Sequence, residues 1–275
     1  GLNLCLTLAK WLTHRHPGAT LHYLGFERAP LRPEDMRRAL CHWPELAPVL
    51  NAVLARWPDP LPGCHRRYFP EWGLTLDLWW ADAADALEDL ASHGRPWMDA
   101  WYLDGFAPSR EPGPWQQRLY DAMAGLSRAG ATFATFTAAG DVRRGLAASG
   151  FEVHKRPGFG SKRDALWGTI KRAHVAASAI TPWDLNPEAH TPQRALVLGA
   201  GLAGAHAAFA LARRGVAVTV LEAASVAGGG SSNLQGVTYT RLSHQHNPLT
   251  DFSLAGFGFA TDHYETLLRD GALTA

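Results

Sequence analysis

The sequence predicts an α/β protein made of two units in tandem, a doubly wound sheet followed by the opening βαβ unit of a second sheet. Three observations carry this expectation. Apolar strands alternate with helical segments through residues 1–172, the pattern of a parallel sheet covered on both faces. Residues 173–193, rich in Ala, Pro and Thr and without periodicity, break the rhythm and read as a linker. From residue 194 the pattern restarts as strand, glycine loop, helix and strand. A length of 275 residues also exceeds one typical domain. The expected domains are therefore 1–172 and 194–275.

Each element follows from local chemistry. "LCLTLAKWLTHRHPG" spaces its apolar residues as one helix face and stops at Pro17-Gly18. "LHYLGFE" (21–27) reads as a buried strand ending on Glu27. Residues 33–57 read as helical and Trp-rich. "LTLDLWWADA" (74–83) alternates as a strand and ends near Asp82. A helix over 83–92 precedes a strand over 99–104, and the chain then breaks into "DGFAPSREPGPW". A helix from about 115 to 127, a strand over 131–137 and a helix closed by Gly150 follow. Residues 151–170 read as a closing hairpin.

Composition excludes several classes. An apolar fraction of 47% with 19% charged residues is globular, not disordered. Net charge is only +1, so bulk charge makes no case for a polyanion, yet six basic residues against Asp164 alone lie between His154 and Arg172. Lys155, Arg156, Lys162 and Arg163 are the candidates to hold nucleic-acid phosphates; a plain solvated face explains the charge equally well. Cys5, Cys41 and Cys64 lack CxxC spacing, which argues against a disulfide framework or a zinc knuckle. No apolar run reaches the roughly 18 residues of a membrane span. The expectation is a cytoplasmic monomer with no metal and no membrane contact.

"VLGAGLAG" sets Gly199, Gly201 and Gly204 in G-x-G-x-x-G register, directly after strand 195–198 and at the mouth of helix 202–214. The first glycine permits the tight turn, the second admits a pyrophosphate to the backbone, and the third lets helix and strand pack closely. The helix amino terminus adds the positive end of its dipole. The strand "VAVTVLE" ends on Glu222, placed to bind a ribose diol and to repel a 2′-phosphate. Dinucleotide binding is expected. The loop "AASVAGGGSSNLQG" after Glu222 resembles that of the D-amino-acid-oxidase-like flavoproteins, which implies FAD, with Ser231 and Ser232 near it. The alternative is a flexible surface loop.

In the first unit three strand-end acids, Glu27, Asp82 and Asp104, come in chain order. Carboxylates at successive strand ends can line one crevice of a doubly wound sheet. Glu27 would accept both hydroxyls of a ribose, Asp82 an adenine amino group, and Asp104 would stand at the reacting end. This arrangement is that of a class I S-adenosylmethionine-dependent methyltransferase, which also closes with an antiparallel pair. Taken singly, each acid could instead cap a helix or a turn. Phe106, beside Asp104 and a run of prolines, would stack on an extruded base or pack on the next helix.

At this point whole segments match. "DGFAPSREPGPW", "ATFATFTAAGDVRRGLAASGF", "KRPGFGSKRDAL", "ALVLGAGLAGAHAAFALARRG" and "SSNLQGVTYTRLS" closely resemble the MnmC family of bifunctional tRNA-modifying proteins. The resemblance implies FAD-dependent removal of a carboxymethyl group at the wobble uridine. Methylation of the resulting aminomethyl group by S-adenosylmethionine would follow. The family's first glycine loop resembles G-F-G-T-G-L-N, and Gly1-Leu2-Asn3 matches its end, which implies that Gly1 and Asn3 touch S-adenosylmethionine. The chain is thus expected to be an internal fragment lacking the first strand of one domain and the end of the other. Two other readings stay open: a methyltransferase-like domain fused to a NAD-dependent dehydrogenase, and a non-catalytic tRNA-binding module.

Overall fold

The computed structural model describes residues 1–92, 96–105, 115–160, 163–172, 192–233, 235–240, 243 and 247–273. The chain divides into two compact units. One comprises Gly1–Thr13, Leu24–His65 and Asp77–Asp184, the other His14–Tyr23, Arg66–Leu76 and Leu185–Ala275.

The first elements are α1 (Leu2–His14), β1 (Leu21–Phe26), α2 (Pro33–Leu40), α3 (Ala47–Leu54), β2 (Gly63–Phe69) and β3 (Leu74–Trp80). Helix α1 buries Leu4, Cys5 and Leu8, one stripe at helical spacing. The helical stretch expected over 33–57 is broken by a 3₁₀ turn at Pro44–Leu46. Pro44 has no N–H to donate and drives Trp43 out of the helical region, to φ −122° and ψ 73°. A small core gathers Cys5, Met36, Leu40, Leu46, Leu50 and Leu54. Strands β1, β3 and β2 form a three-stranded sheet in that order.

Next come α4 (Ala83–Ser92), β4 (Met98–Leu103), α5 (Gln117–Leu126), β5 (Ser127–Thr135), α6 (Gly140–Ala148), β6 (Phe151–Pro157) and β7 (Asp164–Ile170). Their strands order as β4-β5-β7-β6. The pair β4/β5 is parallel, whereas β5/β7 and β6/β7 are antiparallel, so 151–170 is the expected hairpin. Among the described residues the first half thus carries two separate hydrogen-bonded sheets. Its main core packs Met98, Trp101, Tyr120, Met123, Leu126, Phe133, Leu146 and Leu166. Each such side chain, when fully buried, contributes roughly 1.5–3 kcal/mol. Trp101 is satisfied inside this core: its Nε1–H donates to Ser127 Oγ (2.8 Å), which donates to Met123 O (2.7 Å). At Gly168 a Cβ would fall 2.0 Å from Glu152 O, so the hairpin strands close only over a hydrogen atom.

In the second unit β8 (Arg194–Leu198), α7 (Leu202–Ala212) and β9 (Ala217–Leu221) make the βαβ unit, with β8 and β9 parallel and in register from Arg194↔Ala217 to Leu198↔Leu221. Helix α8 (Pro248–Arg269) follows. Asn247 caps it, Oδ1 accepting from Thr250 N (3.0 Å), and Pro248 sits where a missing N–H costs nothing. Arg67, buried on β2, is neutralised by Asp262 of α8 at 3.2 Å.

Candidate functional site

Two carboxylate-bearing sites are described separately. Asp104 stands one residue beyond β4, exposed, beside Gly105, whose φ of +145° turns the chain sharply. Its Oδ1 accepts from Gly105 N (2.9 Å) and its Oδ2 from Asn3 Nδ2 (2.9 Å). Asn3 and Thr7 lie one turn apart on α1, and Tyr102 and Asp104 lie two residues apart along the strand direction, so each pair shares a face. A second contact therefore runs beside the first, with Thr7 Oγ1 and Tyr102 OH 3.3 Å apart. A carboxylate held by an amide and by its own turn is fixed in orientation yet open to solvent, which suits it to bind an amine or take its proton. The family resemblance implies that Asn3 touches S-adenosylmethionine; the structure brings its amide to Asp104. Nothing local could have linked two residues 101 positions apart.

The other strand-end acids make local contacts. Glu27 Oε1 accepts from Ala29 N (2.9 Å). Asp82 Oδ1 caps α4, accepting from Ala84 N (2.9 Å) and Asp85 N (3.3 Å), and lies 3.6 Å from Arg118 Nη2. No hydrogen bond among the described residues joins Glu27, Asp82 and Asp104 to one another. Gly1 packs against Met36, where a Cβ would meet Sδ at 3.2 Å. Phe106 and Lys162 lie outside the described residues.

At the second site the glycine trio takes its expected place. Gly199 turns the chain out of β8 at φ +95°, Gly201 is the N-cap of α7, and at Gly204 a Cβ would sit 1.9 Å from Gly199 O. Glu222, one residue past β9, reaches back over this turn: Oε2 accepts from Ala200 N (2.8 Å) and Oε1 from Ala224 N (3.1 Å). These N–H groups, Ala200 first, hold the Glu222 carboxyl below the usual glutamate range. Ser231 Oγ accepts from Leu202 N (3.0 Å), the first amide of α7, and would lie 2.9 Å from a Cβ at Gly201. An oxygen is thus seated where a helix amino terminus binds phosphate oxygens, the lack of a side chain at Gly201 leaves the backbone approachable, and that at Gly204 lets α7 pack closely on the turn. These residues fit the pyrophosphate and ribose of a dinucleotide. Ser232 N donates to Gly229 O (3.0 Å) and closes the adjoining turn.

On the basic strip, Lys155 and Arg156 are exposed on β6 and Arg163 precedes β7. Lys155 Nζ lies 3.9 Å from Asp164. No group of three or more His, Cys, Asp or Glu among the described residues could hold a metal ion, and no described helix is long and apolar enough to cross a membrane.

Residues 44–171 match the model of S-adenosyl-L-methionine-dependent methyltransferases, and residues 194–273 match that of FAD dependent oxidoreductases. The chain is 45% identical over 257 residues to the tRNA 5-methylaminomethyl-2-thiouridine biosynthesis bifunctional protein MnmC of Chromohalobacter salexigens, covering 93% of this chain and 36% of that protein. It is 42% identical over 273 residues to the protein of the same name from Aeromonas hydrophila, covering 98% of this chain and 41% of that protein. The chain thus spans about two fifths of the length of the curated relatives it matches. Among solved structures it is similar to MNMC2 from Aquifex aeolicus, with 19% identity, a TM-score of 0.45, and 62% of this chain and 49% of that one covered.

Proposed function

We propose that this MnmC-like chain carries parts of both halves of a tRNA wobble-uridine modifying enzyme, a methyltransferase domain over 1–172, a linker over 173–193 and the start of an FAD-dependent oxidoreductase domain over 194–275. The observation that supports this most is the order of the two family matches along one chain, in a sequence similar nearly end to end to proteins named for that pathway. In this reading the oxidoreductase half removes the carboxymethyl group from 5-carboxymethylaminomethyl-uridine at position 34, with or without a 2-thio group. The methyltransferase half then methylates the 5-aminomethyl group. The protein acts as a cytoplasmic monomer.

FAD, when bound, supplies the oxidation of the carboxymethylamino group, after which water releases the two-carbon fragment as glyoxylate. The chain's own residues hold and orient. Gly199, Gly201 and Gly204 admit the pyrophosphate to the α7 amino terminus, Ser231 and Ser232 border it, and Glu222 takes the ribose diol. In the other half, methyl transfer requires a neutral primary amine in line with the sulfonium methyl, so positioning is the chief contribution. Asp104 holds that amine and receives its proton, and Asn3 keeps the carboxylate turned toward it. Glu27 and Asp82 bind the adenosine end of S-adenosylmethionine together with Gly1, and Phe106 stacks on the extruded base. Lys155, Arg156, Lys162 and Arg163 hold tRNA phosphates.

The test is to incubate the full-length protein with undermodified tRNA and S-adenosylmethionine and to analyse the nucleosides by mass. Loss of the carboxymethylaminomethyl nucleoside with gain of the methylaminomethyl one, from a yellow protein, is expected. Asp104→Asn should stop the series at the aminomethyl stage, with methyl transfer slowed at least about 100-fold. A colourless protein, or unchanged tRNA, overturns the reading.

A further inference from the structure

We propose that the β6–β7 hairpin is a stacking surface on which unpaired RNA bases lie, with Phe159 at its tip and Trp167 on its outer face as the two platforms. The inference rests on the tRNA reading above and adds residues to it that the basic strip does not contain.

Strand β6 is the outer member of its sheet. Its inward residues serve the core: Phe151 meets Phe133 edge to face at 5.4 Å, and Val153 packs beside it. The outward row is different in kind. His154 pairs directly across from Trp167, with ring centroids 5.1 Å apart and planes inclined by 34°, and Arg156 is the next outward residue toward the tip. Trp167 remains 40% exposed. Phe159, between Gly158 and Gly160 in the turn, is 97% exposed, and the turn beneath it is closed by the bond from Gly158 N to Arg163 O (3.0 Å). A ring so placed adds nothing to the core and presents both faces to solvent.

Charge selects the occupant. Glu152 is engaged by Lys171 (2.7 Å) and His154 (3.4 Å), and Asp164 lies beside Lys155. No carboxylate among the described residues pairs with Arg156 or Arg163. Flat apolar faces flanked by unopposed guanidinium groups match a single strand, whose bases stack and whose phosphates pair with cations. From His154 to Phe159 the hairpin extends roughly 16 Å at the rise of a strand, so the two platforms serve different nucleotides. A duplex hides its base faces and could use only the charges.

The experiment is fluorescence anisotropy of the 275-residue chain with a labelled anticodon stem-loop RNA, at a series of salt concentrations. Phe159→Ala and Trp167→Ala are each expected to weaken binding about 10-fold with no change in salt slope. Phe159→Tyr should bind like the parent and Phe159→Leu like the Ala variant, since a ring and not apolar bulk is what stacks. Arg156→Ala should instead reduce the slope by about one. Phe159 touches no core, and Trp167→Phe with a thermal melt guards against misfolding at the other position. If the parent binds the stem-loop and the ring variants bind equally well, the stacking surface is overturned while the tRNA reading stands. The same holds if the variants lose equal affinity for a blunt duplex. If the parent does not bind the stem-loop at all, both fall.

Discussion

Glu222 and Glu27 occupy the same formal position, just past a strand of an α/β unit, and the structure treats them differently. Glu222 reaches back 22 residues to Ala200 and binds the glycine turn that precedes α7. Glu27 bonds the N–H two residues ahead of it, and Asp82 does the same at the start of α4. An acid tied to the backbone of a distant turn is part of a built crevice, because two strands and a helix must be in place before the bond can form. An acid bonded two residues on is satisfied by its own turn whatever surrounds it. Asp104 follows Glu222 in this respect: each has one local bond, to Gly105 N and Ala224 N respectively, and one distant bond, Asp104 to Asn3 and Glu222 to Ala200. Order along the chain does not by itself tie the three carboxylates together, whereas the βαβ motif ties Glu222 to its own glycine turn.

That contrast can be broken most forcefully at Gly204. Gly204→Ala drives a methyl group into Gly199 O, backbone that cannot move without opening β8, and should cost about 3 kcal/mol of unfolding free energy in denaturant titration. A stable variant with unchanged flavin content would show that the tight turn is dispensable. A smaller effect separates capping from ligand binding in the first unit. Asp82→Ala should cost about 1 kcal/mol, whereas Asp82→Asn keeps the cap. If Asp82→Asn also keeps full affinity for S-adenosylmethionine by calorimetry, the acid is a cap alone.

The smallest effect is acid titration of Glu222. Its folded pKa is lowered, so the charged form favours the folded state; that contribution is complete above the ordinary glutamate range and is lost as pH falls through the folded value. Glu222→Gln should flatten the acid-side decline of the thermal midpoint. An unaltered decline would mean that the bond to Ala200 N does not matter to the turn.

What could be read in advance follows the same division. The βαβ unit was legible because every signal in it is local: apolar strand, glycine spacing, helix, acid. The expected strand 195–198 and helix 202–214 are found as β8 (Arg194–Leu198) and α7 (Leu202–Ala212). Strand β2 was not legible because its inward residues include His65 and Arg67, which mask the alternation that apolar residues would show. Burial there depends on specific polar partners: Asp262, nearly two hundred residues on, for Arg67, and Leu61 O, four residues back and 2.6 Å from His65 Nε2, for His65. Helix α8 was also missed, although Asn247-Pro248 carries a start signal, an N-cap followed by proline at the first position. The Asn3–Asp104 bond has no sequence signal, since only the packing of α1 against the end of β4 creates it.

Gly168 has a consequence for how the hairpin can drift. With Glu152 O 2.0 Å from where a Cβ would stand and Phe133 Cε1 2.6 Å away, that position is closed to the other nineteen amino acids unless the strands part. Mutation is therefore channelled to the opposite side of the ribbon, where residues 154, 156 and 167 can be exchanged without disturbing the interior. A lineage could retune that outer surface for new ligands while its scaffold stayed fixed.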